Sequence, residues 1–179
     1  GKLGRFKAPD WEKDNKCGHG LHGWLFGQGD HGCSRTVGDA DAKWLVVEVG
    51  LSDLIALGGK VKFPRCTIRH IGDRASATQF LIANEPRAAG VAVIGATLQA
   101  GDKELCQVGA YGTATAGYKG TATAGDEGTA TAGEKGEIRI RYWDEKADRY
   151  RTVIGYIGED GLEPDVPYKL NADRKFVRA

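Results

Sequence analysis

Five side chains able to hold a soft metal ion, Cys17, His19, His22, His31 and Cys33, lie within 17 residues of one another. Thiolates combined with imidazoles suit Zn²⁺, and Cys17, His22, His31 and Cys33 form the candidate ligand set. The spacing C-x-H-x₂-H-x₈-H-x-C matches no standard zinc-finger pattern. The competing reading makes His22 a buried, hydrogen-bonded imidazole in a glycine-rich stretch. The same region offers a thiol nucleophile, with His22 or His31 as the neighbouring base for Cys17. A metal- or thiol-dependent enzyme is therefore one alternative function. Gly18-His-Gly20-Leu-His-Gly23 also satisfies G-x-G-x-x-G, but Trp11 to Lys16 is no strand, so the context of a dinucleotide site is missing.

A second concentration of chemistry is basic. Lys60, Lys62, Arg65, Arg69 and Arg74, with His70, fall within 15 residues that hold a single acid, Asp73. Arginine favours bidentate phosphate contacts. Lys62, Arg65, Arg69, His70 and Arg74 are thus candidates to bind a small phosphorylated ligand. The alternative is an edge strand blunted by charge against aggregation. The whole chain has 25 basic and 24 acidic residues, a net charge of +1, which disfavours long nucleic acid as a partner.

The elements that must position these groups are set by an internal repeat. The octad G-T-A-T-A-G-x-x occurs three times without a gap, starting at Gly112, Gly120 and Gly128. Degenerate copies run upstream from Ala96 and downstream through Gly136-Glu-Ile-Arg-Ile. In every octad the third and fifth positions are apolar: Leu98 and Ala100, Cys106 and Val108, the alanine pairs, then Ile138 and Ile140. The second and fourth positions are mostly polar. Alternation of period 2 is the signature of a strand with one face inward. The Gly-x-x-Gly corners are expected to supply left-handed conformations at the glycines. A flexible linker would share this composition, but not the inside–outside code kept through the degenerate copies.

The predicted fold is mainly β: a small α+β domain (1–89) packed on a short β-solenoid with two strands per coil (90–143), closed by a β-hairpin cap and tail (144–179). In the first domain, strands are expected at Trp44–Val49, Lys60–Phe63 and Cys66–Ile71, a helical turn at Leu51–Leu57, and a helix from Asp73 to Asn84 capped by Asp73. The hairpin is expected to join Ile138–Trp143 to Tyr150–Ile157, with a loop and one more strand behind it. No run of about 18 apolar residues occurs, so no membrane span is expected. The start, Gly1 to Lys7, has no apolar segment of the signal-peptide kind. Four widely spaced cysteines read as reduced thiols in a cytoplasm.

Cys17-x-x-Gly20-Leu21-His22, followed by the Trp44 strand and an Ala/Thr/Gly array with its Ile-Arg-Ile-Arg-Tyr-Trp exit, resembles a family of phage and bacterial proteins. Members of that family carry a Gly-(Phe/Leu)-His motif ahead of short repeats. The resemblance implies a phage or prophage origin and carries over no activity. The expected function is non-enzymatic: to bind or sequester a small phosphorylated ligand, such as a nucleotide immune signal. The expected form is a homo-oligomer, a trimer or a dimer, because the exit strands carry more apolar surface than a thin coil end covers. The competing arrangement folds residues 158–179 back over that surface. A structural spacer or fibre element is the other non-enzymatic reading. Ice binding ranks last, because two octads per coil send successive Thr-x-Thr motifs to opposite faces.

Overall fold

A computed structural model describes residues 3–179; the first two residues of the start segment lie outside the described residues. The described residues are mainly β, with one α-helix and four sheets, none closed into a barrel. The chain divides after Ala89 into two compact units.

The N-terminal unit holds β1 (Gly4–Lys7), β2 (Leu21–Gly23), β3 (Trp44–Glu48), β4 (Ile55–Ala56), β5 (Val61–Phe63), β6 (Arg65–Gly72) and the helix α1 (Arg74–Asn84). They form two antiparallel three-stranded sheets, ordered β1-β6-β3 and β2-β5-β4. Pro64 has no amide to donate and lies between β5 and β6, where its carbonyl accepts from the Ala8 amide at 2.8 Å. The Asp73 carboxylate caps α1 by accepting from the Ser76 amide at 2.8 Å. The helix ends at Asn84, where Glu85 precedes Pro86 and cannot easily stay helical. The expected turn over Leu51–Leu57 is shorter: a 3₁₀ turn at Leu51–Asp53 follows Gly50, and Ile55 then leaves it to pair with Lys62.

The C-terminal unit holds β7 (Thr97–Gln99), β8 (Leu105–Gln107), β9 (Thr113–Ala116), β10 (Thr121–Ala124), β11 (Thr129–Ala132), β12 (Glu137–Asp144), β13 (Arg149–Tyr156), β14 (Tyr168–Leu170) and β15 (Phe176–Arg178). Strands from alternate octads pair in parallel, giving one sheet ordered β15-β14-β11-β9-β7 and another ordered β13-β12-β10-β8. Ala114, Ala122, Ala124, Ala130 and Ala132 are fully buried between the sheets. Each inward methyl contributes about 0.8 kcal/mol, less than the roughly 1–2 kcal/mol of backbone entropy lost per ordered residue. The deficit is met by backbone bonding and by larger groups at the ends. Val93, Ile94 and Val108 fill one end, and Ile138 and Ile140 the other.

Backbone bonding continues through the corners. The Lys103 amide donates to the Tyr118 carbonyl at 2.8 Å, and the Lys119 amide to the Glu134 carbonyl at 3.0 Å. The left-handed residues at these corners are Lys103, Tyr111, Lys119, Glu127 and Lys135, not the octad glycines. This corrects the expectation for the Gly-x-x-Gly corner. Those glycines are required by close approach instead: a Cβ on Gly136 would meet the Ala132 methyl at 2.8 Å and the Gly120 carbonyl oxygen at 2.9 Å.

The exit hairpin forms as expected, with Glu137–Asp144 antiparallel to Arg149–Tyr156. The tail is more ordered than expected. It contributes two strands, and β14 returns to pair with β11 at Ala130 and Tyr168.

Candidate functional site

The repeat builds a regular grid on the outer face of one sheet. Parallel pairing sets Thr113 beside Thr129 and Thr115 beside Thr131. On the other side it sets Thr97 beside Thr113 and Gln99 beside Thr115. Three rows of polar side chains result: Thr97 and Gln99, Thr113 and Thr115, Thr129 and Thr131. Strand geometry spaces the rows by about 4.8 Å and the residues within a row by about 6.6 Å. Thr131 is the least accessible member, at 8% exposure.

The outer face of the second sheet is different. Its rows are Leu105 and Gln107, Thr121 and Thr123, then Glu137 and Arg139. Leu105 is exposed, and Glu137 and Arg139 pair with each other. Among the described residues, the first sheet thus carries hydroxyl and amide groups at all six of its grid positions, with Thr131 the one that is buried. Sequence reasoning sent the Thr-x-Thr motifs to alternate faces but missed that Thr97 and Gln99 of a degenerate octad add a third row. The signal was there in the phase of Ala96–Lys103.

A threonine presents a methyl group and a hydroxyl that both donates and accepts. Repeated along a parallel sheet, these groups offer hydrogen bonds to water at regular intervals. The grid holds no nucleophile–base pair and no acid–base pair.

The cysteine–histidine region is arranged otherwise. His22 lies on β2 opposite Lys62. Its Nε2 atom is buried without a hydrogen-bond partner. Burial, helped by the charges of Lys60 and Lys62, pushes its pKa below the ordinary histidine range. Cys17 is exposed, and the Lys60 ammonium donates to its Sγ at 3.0 Å. That contact draws the Cys17 pKa below the usual thiol value. Burial and the Asp30 carboxylate, whose Oδ2 lies 3.7 Å from Cys33 Sγ, push the Cys33 pKa up. His31 opens the 3₁₀ turn His31–Cys33. Among the described residues, no three His, Cys, Asp or Glu side chains form a group that could hold a metal ion.

The basic run is dispersed among partners. Lys62 has no exposure, and its Nζ donates to Asp14 Oδ1 at 2.6 Å and to the Lys16 carbonyl at 3.0 Å. The Trp11 ring lies 5.4 Å from the same ammonium. Gly20 lies against this pair at φ +143°, where a Cβ would meet the Trp11 ring at 2.9 Å. The Gly20-Leu21-His22 motif thus shapes the packing around Lys62. Arg65 donates to Asp53 at 2.9 Å and Arg69 to Glu48 at 2.7 Å. His70 stacks on Phe80 at 5.0 Å and lies 3.2 Å from the Ser76 hydroxyl. Arg74 is the first residue of α1. Sequence spacing could not reveal these partners, since Asp14, Glu48 and Asp53 are distant in the chain.

No protein-family model matches the chain, and no solved structure matches it. Curated relatives do. An ice nucleation protein of Pseudomonas fluorescens is 42% identical over 84 residues, which is 46% of this chain and 7% of that protein. One of Pseudomonas syringae is 38% identical over 84 residues, with the same coverage of each. One of Xanthomonas campestris pv. translucens is 35% identical over 78 residues, 42% of this chain and 5% of that protein. The chain therefore spans only a small fraction of the length of the relatives it matches.

These likenesses correct the functional expectation. The relatives are bacterial proteins named for ice nucleation, and neither a phage origin nor capture of a phosphorylated or nucleotide ligand is supported. The ranking of ice binding as the last of the readings is overturned by the same likenesses. That ranking counted Thr-x-Thr motifs alone and left out the row of Thr97 and Gln99, which enlarges one face. The relatives' names describe no chemical transformation, in keeping with a non-enzymatic protein.

Proposed function

We propose that residues 90–143 form a β-solenoid with two octads per coil, and that its β7, β9 and β11 face is an ice-binding plane. The observation that carries this reading is the in-register grid of Thr97, Gln99, Thr113, Thr115, Thr129 and Thr131. Likeness to the ice nucleation proteins over nearly half of the chain supports it. The rigid backbone ladder matters as much as the hydroxyls. Fixed side chains hold waters in place without an ordering cost at the moment ice is met.

Three rows span only about 10 Å across the strands. An array of this size adsorbs to existing ice, whereas templating a new crystal requires a wider plane. The test is partition into slowly growing ice from a dilute solution. Enrichment of the protein in the ice over a non-binding control of equal mass is expected. Exclusion into the liquid at the control's level would overturn the reading.

A further inference from the structure

Three groups in the N-terminal unit have no part in the threonine grid: Cys17, Lys60 and Cys33. The Lys60 ammonium lies 3.0 Å from Cys17 Sγ. The Asp30 amide, which opens the turn that ends in Cys33, donates to the carbonyl of Gly59, the residue before Lys60, at 2.8 Å, and Cys33 Sγ lies 3.7 Å from the Asp30 carboxylate. The three therefore share one neighbourhood although 43 residues separate Cys17 from Lys60.

The two thiols differ in environment. Cys17 faces a cation and is open to solvent, whereas Cys33 lies beside the Asp30 carboxylate. Thiolate is the reactive form of cysteine, and a neighbouring ammonium favours it. Neither cysteine is held in a strand: Cys17 lies in the bends before β2, and Cys33 ends a 3₁₀ turn. The other two cysteines provide an internal contrast. Cys66 and Cys106 are buried, and burial pushes both thiols up.

We propose that Cys17, engaged by Lys60, is the peroxide-reactive thiol of this protein, and that Cys33 resolves its oxidised form into a Cys17–Cys33 disulfide. The oxidant is a hydroperoxide. In the first step Cys17 sulfur attacks the terminal peroxide oxygen, an S–O bond forms and the O–O bond breaks. The sulfur loses two electrons and becomes a sulfenic acid. The peroxide gains them, and its other oxygen leaves as water or an alcohol after taking up a proton. In the second step Cys33 sulfur attacks Cys17 sulfur, the S–S bond forms and the S–O bond breaks. The departing hydroxide takes the Cys33 proton and leaves as water.

The experiment treats the full, reduced chain with hydrogen peroxide and follows intact mass and peptide maps. The expected product has lost two hydrogen atoms and yields a linked Cys17–Cys33 peptide, with Cys66 and Cys106 unchanged. Cys33→Ser should stop at a single added oxygen on Cys17, trapped by dimedone. Lys60→Gln should slow the reaction several-fold, and Lys60→Arg should restore most of the rate. Circular dichroism of each variant establishes that it is folded. Oxidation of all four cysteines at similar rates would overturn the proposal. So would an unchanged rate in Lys60→Gln, or a Cys17–Lys60 cross-link in place of the disulfide.

Discussion

Thr113 on β9 and Thr129 on β11 are register partners in a parallel pair, although a whole octad lies between their strands in the chain. The skipped octad supplies β10 to the other sheet, where Thr121 pairs with Leu105 and Glu137. One repeated sequence thus yields two outer faces of unlike chemistry. The difference comes from the degenerate copies at the ends, not from the perfect repeats between them.

Enlarging an inward alanine tests the inside–outside assignment. Ala122 has no exposure, so Ala122→Leu is expected to destabilise the protein by about 1–3 kcal/mol through overpacking. Thr121→Ser should cost well under 1 kcal/mol, in line with surface changes of this size. Urea denaturation followed by far-ultraviolet circular dichroism compares the two. A costlier Thr121 change would invert the assignment.

Lys62 and Asp14 test the N-terminal core. The lysine is fully buried and the aspartate is 35% exposed, with Lys62 Nζ also held by the Lys16 carbonyl. Asp14→Ala leaves a buried ammonium short of its counter-charge and is expected to lower the denaturant midpoint. Adding Lys62→Met to Asp14→Ala should recover part of that loss. Denaturant midpoints of the single and double variants decide it, and a double variant no more stable than Asp14→Ala would contradict this view.

The half-buried imidazole of His22, with its Nε2 out of solvent, gives the unit a pH response. Its pKa is depressed in the folded protein, chiefly by burial, so the unfolded chain binds a proton at a pH where the folded one does not. The sign follows from linkage: stability is unaffected well above pH 6.5, the ordinary histidine value, and falls as pH drops below it. His22→Gln should flatten that segment of the stability–pH curve. A curve of unchanged slope in the variant would assign the response elsewhere.

Association remains an expectation on physical grounds. Trp143, Ile154 and Tyr156 stay exposed on β12 and β13, even though the tail returns against this region and packs Leu162 and Phe176 over Gly155. A dimer or trimer is expected in analytical ultracentrifugation at micromolar concentration, loosened by Trp143→Glu. A single 19.2 kDa species would rule it out.

Much of the fold was legible because it rests on local signals. The octad phase marks β9, β10 and β11, and the alternation of Ile138 to Trp143 marks an exit strand. Asp73 and Glu85-Pro86 bracket α1. What was hidden rests on distant partners. Lys62 reads as a surface cation until Asp14, Lys16 and Trp11 close around it. The carboxylates beside Arg65 and Arg69, those of Asp53 and Glu48, are likewise distant in the chain. The candidate plane was half legible: the sequence shows which threonines point outward, but the third row needs the register of Thr97 with Thr113. One strand was expected in the tail where β14 and β15 form, because three-residue strands carry too few alternations to place.

The most direct test of the ice-binding plane compares one bulky substitution on each outer face. Thr115 lies on β9, between β11 and β7, and Thr123 lies on β10 of the other sheet. Each is replaced by tyrosine, and the arrest of ice growth is measured as thermal hysteresis at matched concentration. Thr115→Tyr should remove most of the activity, because the ring stands proud of the grid and holds the plane off the ice. Thr123→Tyr should leave activity near that of the unmodified protein. Loss of activity in Thr123→Tyr with retention in Thr115→Tyr would contradict the assignment, as would activity that survives both.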